Sequence, residues 1–533
     1  MRTHTSSTES AGPVSPRTAA PSQGPLPPLS EGSLRFEECT AARYHEALAR
    51  LAGLRRRYAV LLVVMIVASS LLFLGVHRPG TALGAELSWL TVAWLLPIPI
   101  LILATLVYFG WFSVERFALG PAPAPRPGPR PKVIFQITST GLNVETVRNT
   151  ARSALYWTGQ HPEVGFDAEV WLVVEGWGYA PNHARLDPLA KEGVHIVVVP
   201  TDYRTRLGTT RKGRALQFAT ERRRALGTDL TKLWIYHQDD ETAVGEDTIL
   251  GIDEFLAKHG ASPAVGCGII LYSQGAEDYR PSQIQEFSRT KDDLRTIYTI
   301  TSRENMFSGF HGSHYIARGD LEDLVGWDVG PDMNSEDLIF ETRVRAQYGA
   351  VFHLLKGFAH EQAALNLRDQ FRQRRRWFQG WWRAALRLPF PLARRIVMSY
   401  GMVVWMAALF SILAMVSGWI FGFGSILPYT GPLTGFVWAV MVVGYYQGYI
   451  LHTPYLPRRR VPLPRVLANA VVGAWADALA PWYGTFTPRA RTFQVISKDR
   501  KAPSPAPAPA SQLPPARASA AGRPASAAPS LAR

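Results

Sequence analysis

The stretch "KLWIYHQDDETAV", residues 232–244, ends a short apolar run on three consecutive acids, Asp239, Asp240 and Glu241. Adjacent carboxylates repel one another, and burying them without partners is costly. Solvent or a cation must meet that cost. Asp239 and Glu241 alternate, so their oxygens can face one way and ligate a hard ion such as Mn²⁺ or Mg²⁺ beside a phosphate. A solvated turn that caps the next helix accounts for the same residues, and this stretch alone does not separate the two.

A second acid pair stands in "PDMNSEDLIFETRVRAQYG". Ser335 suits the cap of a helix that begins with Glu336 and Asp337, where negative charge is favourable. The chemical alternative is a general base, which needs reach to a hydroxyl more than burial. Farther on, "LNLRDQFRQRRRWFQGWWRAALRLPFPLARR" holds nine arginines and one acid, interleaved with Trp377, Trp381 and Trp382. It reads as a helix lying at a membrane surface. The grouping of Gln373, Arg376 and Trp377 asks for more, since a guanidinium can grip a diphosphate and an indole face can stack on a sugar ring.

Positioning these groups falls to an alternation of strands and helices. "KVIFQIT", "AEVWLVV", "VHIVVV", "KLWIYH" and "AVGCGIIL" read as buried, mostly parallel strands, with helices over 143–157, 211–225 and 247–259 between them. That pattern is an α/β layer domain, in which ligands bind beyond the carboxyl ends of the strands. The two cysteines, Cys39 and Cys267, are too few for a disulfide framework and suggest a reducing compartment. Cys267 sits in a strand pattern as a small buried residue.

The chain has 533 residues, 47% hydrophobic, with a net charge of +15. No zinc spacing, helix-turn-helix or RNA-binding sheet motif accompanies the basic excess, so no nucleic-acid partner is expected. The excess instead flanks uncharged runs. Residues 57–116 are read as two transmembrane helices and 396–453 as two more. Basic residues gather before the first span, after the second and after the fourth, which places that side and the block 131–385 in the cytoplasm. Residues 366–395 are interfacial, and 464–484 are an interfacial, re-entrant or fifth spanning helix. Residues 1–32 and 501–533, rich in Pro, Ser, Thr and Ala, are expected to be disordered, with no signal peptide.

The order of acid cluster, Glu336-Asp337 pair and Gln373-Arg374-Arg375-Arg376-Trp377 resembles the membrane-embedded family 2 glycosyltransferases, the cellulose, chitin, mannan and hyaluronan synthase group. The stretch His237 to Thr242 is most similar to the egghead-type β-1,4-mannosyltransferases. The resemblance runs over about residues 131–500 and implies a GT-A, Rossmann-like cytosolic domain inserted between α-helical transmembrane segments.

It also implies roles. Asp239 and Glu241 would hold Mn²⁺ or Mg²⁺, and Asp337, with Glu336, would serve as base. Lys212 and Arg214 of "KGRAL", together with Asp239, Gln373 and Arg376, would border the donor diphosphate. The family shows an acid pair after the second strand, where this chain offers Glu175 followed by Gly176. His311, Gly312 and Ser313 of "FHGSHYIAR", with Trp377, would meet the acceptor. Phe493, Val495 and Lys498 of "FQVISK" resemble a gating loop, with Ile496 in place of that motif's Thr. The expected activity is inverting transfer of a hexose from a nucleotide sugar of the GDP-mannose or UDP-glucose type to a lipid-linked or growing glycan acceptor, by a multi-pass plasma-membrane protein. A processive synthase that exports its polymer is the alternative, with a homo-oligomer or an export partner compatible with either. A scaffold with a degenerate transferase domain is the reading from another class.

Overall fold

The computed structural model describes residues 34–488 except 75–80, 107–113, 125–127, 276–278, 303–310, 332, 334, 350, 389, 422–429 and 457–461, and beyond them residues 496 and 498. The expectations for the two tails, and for Phe493 and Val495, lie outside the described residues.

Eight strands form one sheet: β1 (Lys132–Ser139), β2 (Asp167–Glu175), β3 (Val194–Val199), β4 (Leu233–Asp239), β5 (Ala243–Val244), β6 (Val265–Gln274), β7 (Tyr315–Arg318) and β8 (Phe352–Gln362), in the spatial order β3-β2-β1-β4-β7-β6-β8-β5. The half β3-β2-β1-β4 is entirely parallel. β7 runs antiparallel between β4 and β6, and β6 then pairs parallel with β8. This is a mixed α/β, Rossmann-like sheet. The five expected strands are present; β5, β7 and β8 were not foreseen, being very short or polar at one end.

Alternation along the strands explains the two cores. Val133, Phe135 and Ile137 of β1 pack to one side with Leu172, Trp234 and Tyr236, beneath helix α2 (Val144–Gln160) and helix α4 (Glu246–His259). Ile134, Val173 and Ile235 point the other way, against Ala215 and Ala219 of helix α3 (Arg211–Ala225). Both faces are covered, so these strands read as continuous apolar runs rather than alternating ones.

A long N-terminal helix, α1 (Ala41–Leu74), joins the other half of the sheet. Its Tyr44, Leu48 and Leu51 share a core with Val265 and Leu271 of β6, Phe358 of β8 and Val440 and Val443 of a later helix. The remaining helices longer than ten residues are α5 (Pro281–Ser302), α6 (Glu336–Tyr348), α7 (Leu367–Arg387), α8 (Leu392–Phe421), α9 (Thr430–His452) and α10 (Leu463–Phe486).

Among the described residues, one helix, α8, is long and apolar enough to cross a membrane, while Arg57–Ala68 and Ala82–Ala93 are shorter apolar stretches. The second expected span is broken into a helix Ala82–Leu87, a tighter turn Ser88–Trp94 and a helix Ile98–Leu106. Pro97 and Pro99 remove backbone donors at that break, as expected of proline. Helix α10 packs on the domain: Asn469 donates to Tyr279 O at 2.9 Å, and Gly473 lies so near the Pro281 carbonyl that a Cβ there would be 2.6 Å away.

One expectation about α7 is corrected. The sequence suggests a helix lying at a membrane surface, yet Arg374 is buried and bonds Glu286 of α5 at 2.8 Å and Asp477 of α10 at 2.9 Å. Arg375 is buried as well. The carboxylates that draw Arg374 inward sit about ninety residues away or more, where no local reading of α7 could find them, and Arg375 turns to the Tyr483 ring.

Candidate active site at the carboxyl ends of the parallel strands

Parallel pairing brings the strand ends level. Thr138 is opposite Asp239, and Ser139 is opposite Val174, so the ends of β1, β2 and β4 share one rim. Asp239 closes β4, and the turn that follows carries Asp240 and Glu241.

The three acids turn to different partners. Asp239 bonds the Lys212 ammonium from the start of α3. Asp240 turns to Asn143, whose amide donates at 3.2 Å, and to the Ser139 hydroxyl at 3.4 Å. Glu241 pairs with Lys498 at 2.9 Å. Burial, followed by the neighbouring Glu241, pushes the Asp240 carboxyl well above the ordinary carboxylate range. Burial also works to raise Glu241, but Lys498 and the bond from Asp240 overcome it and hold this carboxyl at about 2. Arg376 adds to that lowering, which places the Gln373-to-Trp377 segment within electrostatic reach of the acid turn.

Lys212 joins the separate motifs. Besides Asp239, its ammonium donates to Gly312 O at 2.5 Å. Gly312 has no room for a larger residue: a Cβ there would lie 2.9 Å from Lys212 Nζ and 3.5 Å from Asp337 Oδ2. Burial would lower the Lys212 pKa, yet Asp239 and Glu336 reverse this and raise it. Asp337, at the first turn of α6, is pushed up to about 7 by burial and then by the adjacent Glu336. Ser335 takes the cap position but makes no side-chain cap bond; Asp337 Oδ1 instead accepts from Leu338 N at 2.8 Å.

Arg214 and Glu175 form a separate pair. The Arg214 guanidinium bonds Glu175 and Pro200 O, and it donates to Tyr203 O at 3.2 Å. Burial raises the Glu175 carboxyl despite that partner. This ion pair lies at the ends of β2 and β3, on the same rim as Asp239. Gln373 is buried beside Arg374. The Trp377 ring carries two guanidiniums, Arg289 at 4.3 Å and Arg374 at 4.4 Å from its centre, a cation–π arrangement.

His311 reaches Asp293 of α5 at 3.0 Å, and that carboxylate outweighs burial and raises the imidazole pKa. Ser313 donates to Glu361 Oε1 at 2.5 Å. The segment near residue 498 lies on the same rim: Lys498 N donates to Asn143 Oδ1 at 3.1 Å, and Asn143 Nδ2 donates to Ile496 O at 3.1 Å. Ile496, the position that departs from the gating-loop pattern, therefore enters through its backbone.

Four residues of the rim went unnoticed in the sequence: Asn143, Arg289, Asp293 and Glu361. Each is a single polar residue in a helix start, helix or strand, with no repeat or spacing to mark it. Glu361 comes closest to a signal, standing in "AHEQ" at the end of a strand.

Among the described residues no group of three or more His, Cys, Asp or Glu side chains comes together to hold a metal ion. The pair Asp239 and Glu241 does fit a hard divalent cation that takes its other oxygens from phosphate and water. Each already faces a lysine ammonium, which marks both as places where positive charge is stabilised.

The parallel rim, an acid turn after β4, a basic helix start and an acid pair at a helix N-terminus together define a Rossmann-like α/β domain with a charged cleft at its strand ends. Residues 234–451 match the family described as "Glycosyl transferase family group 2". The chain is 30% identical over 194 residues to β-1,4-mannosyltransferase bre-3 of Caenorhabditis briggsae, covering 35% of this chain and 40% of that protein. It is 29% identical over 216 residues to β-1,4-mannosyltransferase egh of Drosophila melanogaster, covering 40% of this chain and 46% of that one. The chain thus spans less than half the length of these relatives. A crystal structure of S. aureus TarS 1–349 superposes with a TM-score of 0.31 at 13% identity, over 68% of this chain and 94% of that one.

Proposed function

We propose that this protein transfers a hexose from a nucleotide sugar to a lipid-linked or short glycan acceptor at the cytosolic face of a membrane, with inversion at the anomeric carbon. One observation carries the reading: Lys212 bonds Asp239 and Gly312 and lies beside Asp337, so three motifs distant in sequence converge on a single point. The mannosyltransferase relatives favour mannose as the sugar.

In this mechanism Asp337 accepts the proton of the acceptor hydroxyl as its oxygen attacks the anomeric carbon, and the nucleoside diphosphate leaves from the opposite face. A carboxyl near 7 is well matched to that task. Glu336 supports it by raising the basicity of its neighbour. Lys212 and Arg376 border the leaving diphosphate, with Gln373 behind them. Asp239 and Glu241 are the residues that would hold Mn²⁺ or Mg²⁺, and the bound cation would neutralise charge developing on the leaving group. Glu175 and Arg214 shape the nucleotide end of the rim. His311, Gly312, Ser313 and Trp377 border the acceptor, and Lys498, paired with Glu241, borders the donor.

Membrane placement is supported by α8 and by the exposed Val60, Val63, Val64, Val67 and Leu71 on α1, a face that lipid would cover. Residues 131–385 form the catalytic domain in this reading, with spans at 57–116 and 396–453.

The test is turnover by the full chain in lipid nanodiscs with Mn²⁺, a panel of radiolabelled nucleotide sugars and a membrane-lipid extract. A small solvent-extractable glycolipid is the expected product. A long polymer would instead make the protein a processive synthase, and no turnover with any donor would overturn the transferase reading.

A further inference from the structure

Glu361, next to last in β8, has one oxygen shared by two loops. Its Oε1 accepts from Ser313 Oγ at 2.5 Å and from Thr242 Oγ1 at 2.8 Å. All three residues are buried, with Thr242 at 0%, Ser313 at 2% and Glu361 at 7% exposure. We propose that Glu361 is a positioning residue: through these two hydroxyls it sets the separation between the acid turn after β4 and the acceptor-side loop before β7.

Each hydroxyl leads to a reacting element. Thr242 closes the acid turn, since its hydroxyl accepts from Asp239 N at 3.2 Å and its own N–H donates to Asp239 O at 3.1 Å. Gln238 Nε2 also donates to Thr242 O at 2.7 Å. Ser313 follows Gly312, the residue wedged between Lys212 and Asp337. The strand holds its end firmly, because β5 pairs Ala243 with His360, immediately before Glu361. One carboxylate oxygen therefore ties the donor-side acids to the acceptor loop, beside the Lys212 bridge from Asp239 to Gly312 and the bond from His314 N to His237 O. Misplacement by about 1 Å at such a site can cost on the order of 100-fold in rate.

This inference rests on the transfer reaction proposed above, and its chemistry separates it from two other roles for a buried acid. Positioning needs only an oxygen that accepts two hydroxyl bonds, which a carboxamide supplies. A metal ligand or a base needs the charge. Glu361→Gln in the full chain is therefore expected to transfer within about 5-fold of the parent, while Glu361→Ala should lose about 10- to 100-fold in kcat with donor KM changed less than about 3-fold. Glu361→Gln falling as low as Glu361→Ala would overturn the proposal, as would Glu361→Ala at the parental rate. Should Glu361→Ala fail to fold, the double variant Thr242→Val with Ser313→Ala, which keeps Glu361, is expected to show the same loss. Parental turnover by that double variant would overturn it.

Hydrogen exchange in nanodiscs reads the coupling without turnover, so it decides even if the parent transfers nothing. Amides 239–242 and 312–315 should exchange about 10-fold faster in Glu361→Ala or the double variant, and at the parental rate in Glu361→Gln. Unchanged protection of both segments in Glu361→Ala, or in the double variant should that protein not fold, would sink the idea on its own.

Discussion

Asp337 is the residue on which the proposed chemistry turns. Asp337→Asn keeps size and shape but cannot take a proton, so transfer should fall by about 100- to 10,000-fold while nucleotide binding stays near the parental value. Turnover and calorimetric titration with nucleoside diphosphate check the two halves separately. Because burial and Glu336 lift this carboxyl to about 7, it is protonated below that pH and unable to act as a base. Activity should therefore fall as pH drops through about 7, and Glu336→Gln, which removes the repelling charge, should move that limb of the kcat/KM profile to lower pH. The sign for stability is the opposite one. A carboxyl whose folded pKa lies above its unfolded value stabilises the fold at low pH and gives that contribution up as pH rises through about 7.

At the scale of elements, the joint between α5, α7 and α10 is held by buried charge. Arg374 answers Glu286 on one helix and Asp477 on another, and Glu286 also meets Arg289 at 3.3 Å. Arg374→Ala would take the shared guanidinium from both carboxylates, leaving Glu286 with Arg289 and Asp477 half-buried; removing one partner of a fully buried pair costs about 3–5 kcal/mol, which bounds this loss from above. A thermal unfolding midpoint lowered by several degrees is the expected reading. The ring of Trp377 lies against Arg289 of α5 as well as Arg374 of its own helix, so α7 is tied to α5 by this contact and by the Arg374–Glu286 pair. Gly268 is a second fixed point. A Cβ there would lie 2.0 Å from the His314 ring, so Gly268→Ala should destabilise by about 1–3 kcal/mol through overpacking.

At the scale of the whole molecule, the catalytic sheet does not end where the apolar helices begin. Tyr44 and Leu48 of α1 and Val440 and Val443 of α9 share one core with β6 and β8. The segment before α1 is tied to the other half of the sheet, with Trp157 donating to Phe36 O at 3.0 Å and Glu246 N donating to Cys39 O at 2.8 Å. A fragment of residues 131–385 would expose that core on its β6–β8 side. It should run as an aggregate or an expanded species in size exclusion and lack near-ultraviolet dichroism, whereas a monodisperse, well-packed fragment would contradict the shared-core reading.

How much of this could be read from residue order varies with the range of the interaction. Apolar runs and local periodicity located β1 to β4, β6 and the helices between them, because a strand buried on both faces needs an uninterrupted stretch of Val, Ile and Leu. Asp239, Glu241, Glu336, Asp337 and the Gln373-to-Trp377 segment stood out because each is a local cluster of charge that needs a reason. Glu361, Arg289, Asp293 and Asn143 are isolated residues, and nothing next to them in the chain says what they meet. Likewise the inward turn of Arg374 depends on Glu286 and Asp477, which only folding brings within 3 Å. The sequence by itself determined the layer class and the short-range clusters, since both arise from neighbours along the chain. The tertiary structure alone decided which cluster faces which, because a buried charge takes its partner from whatever lies across the packing interface.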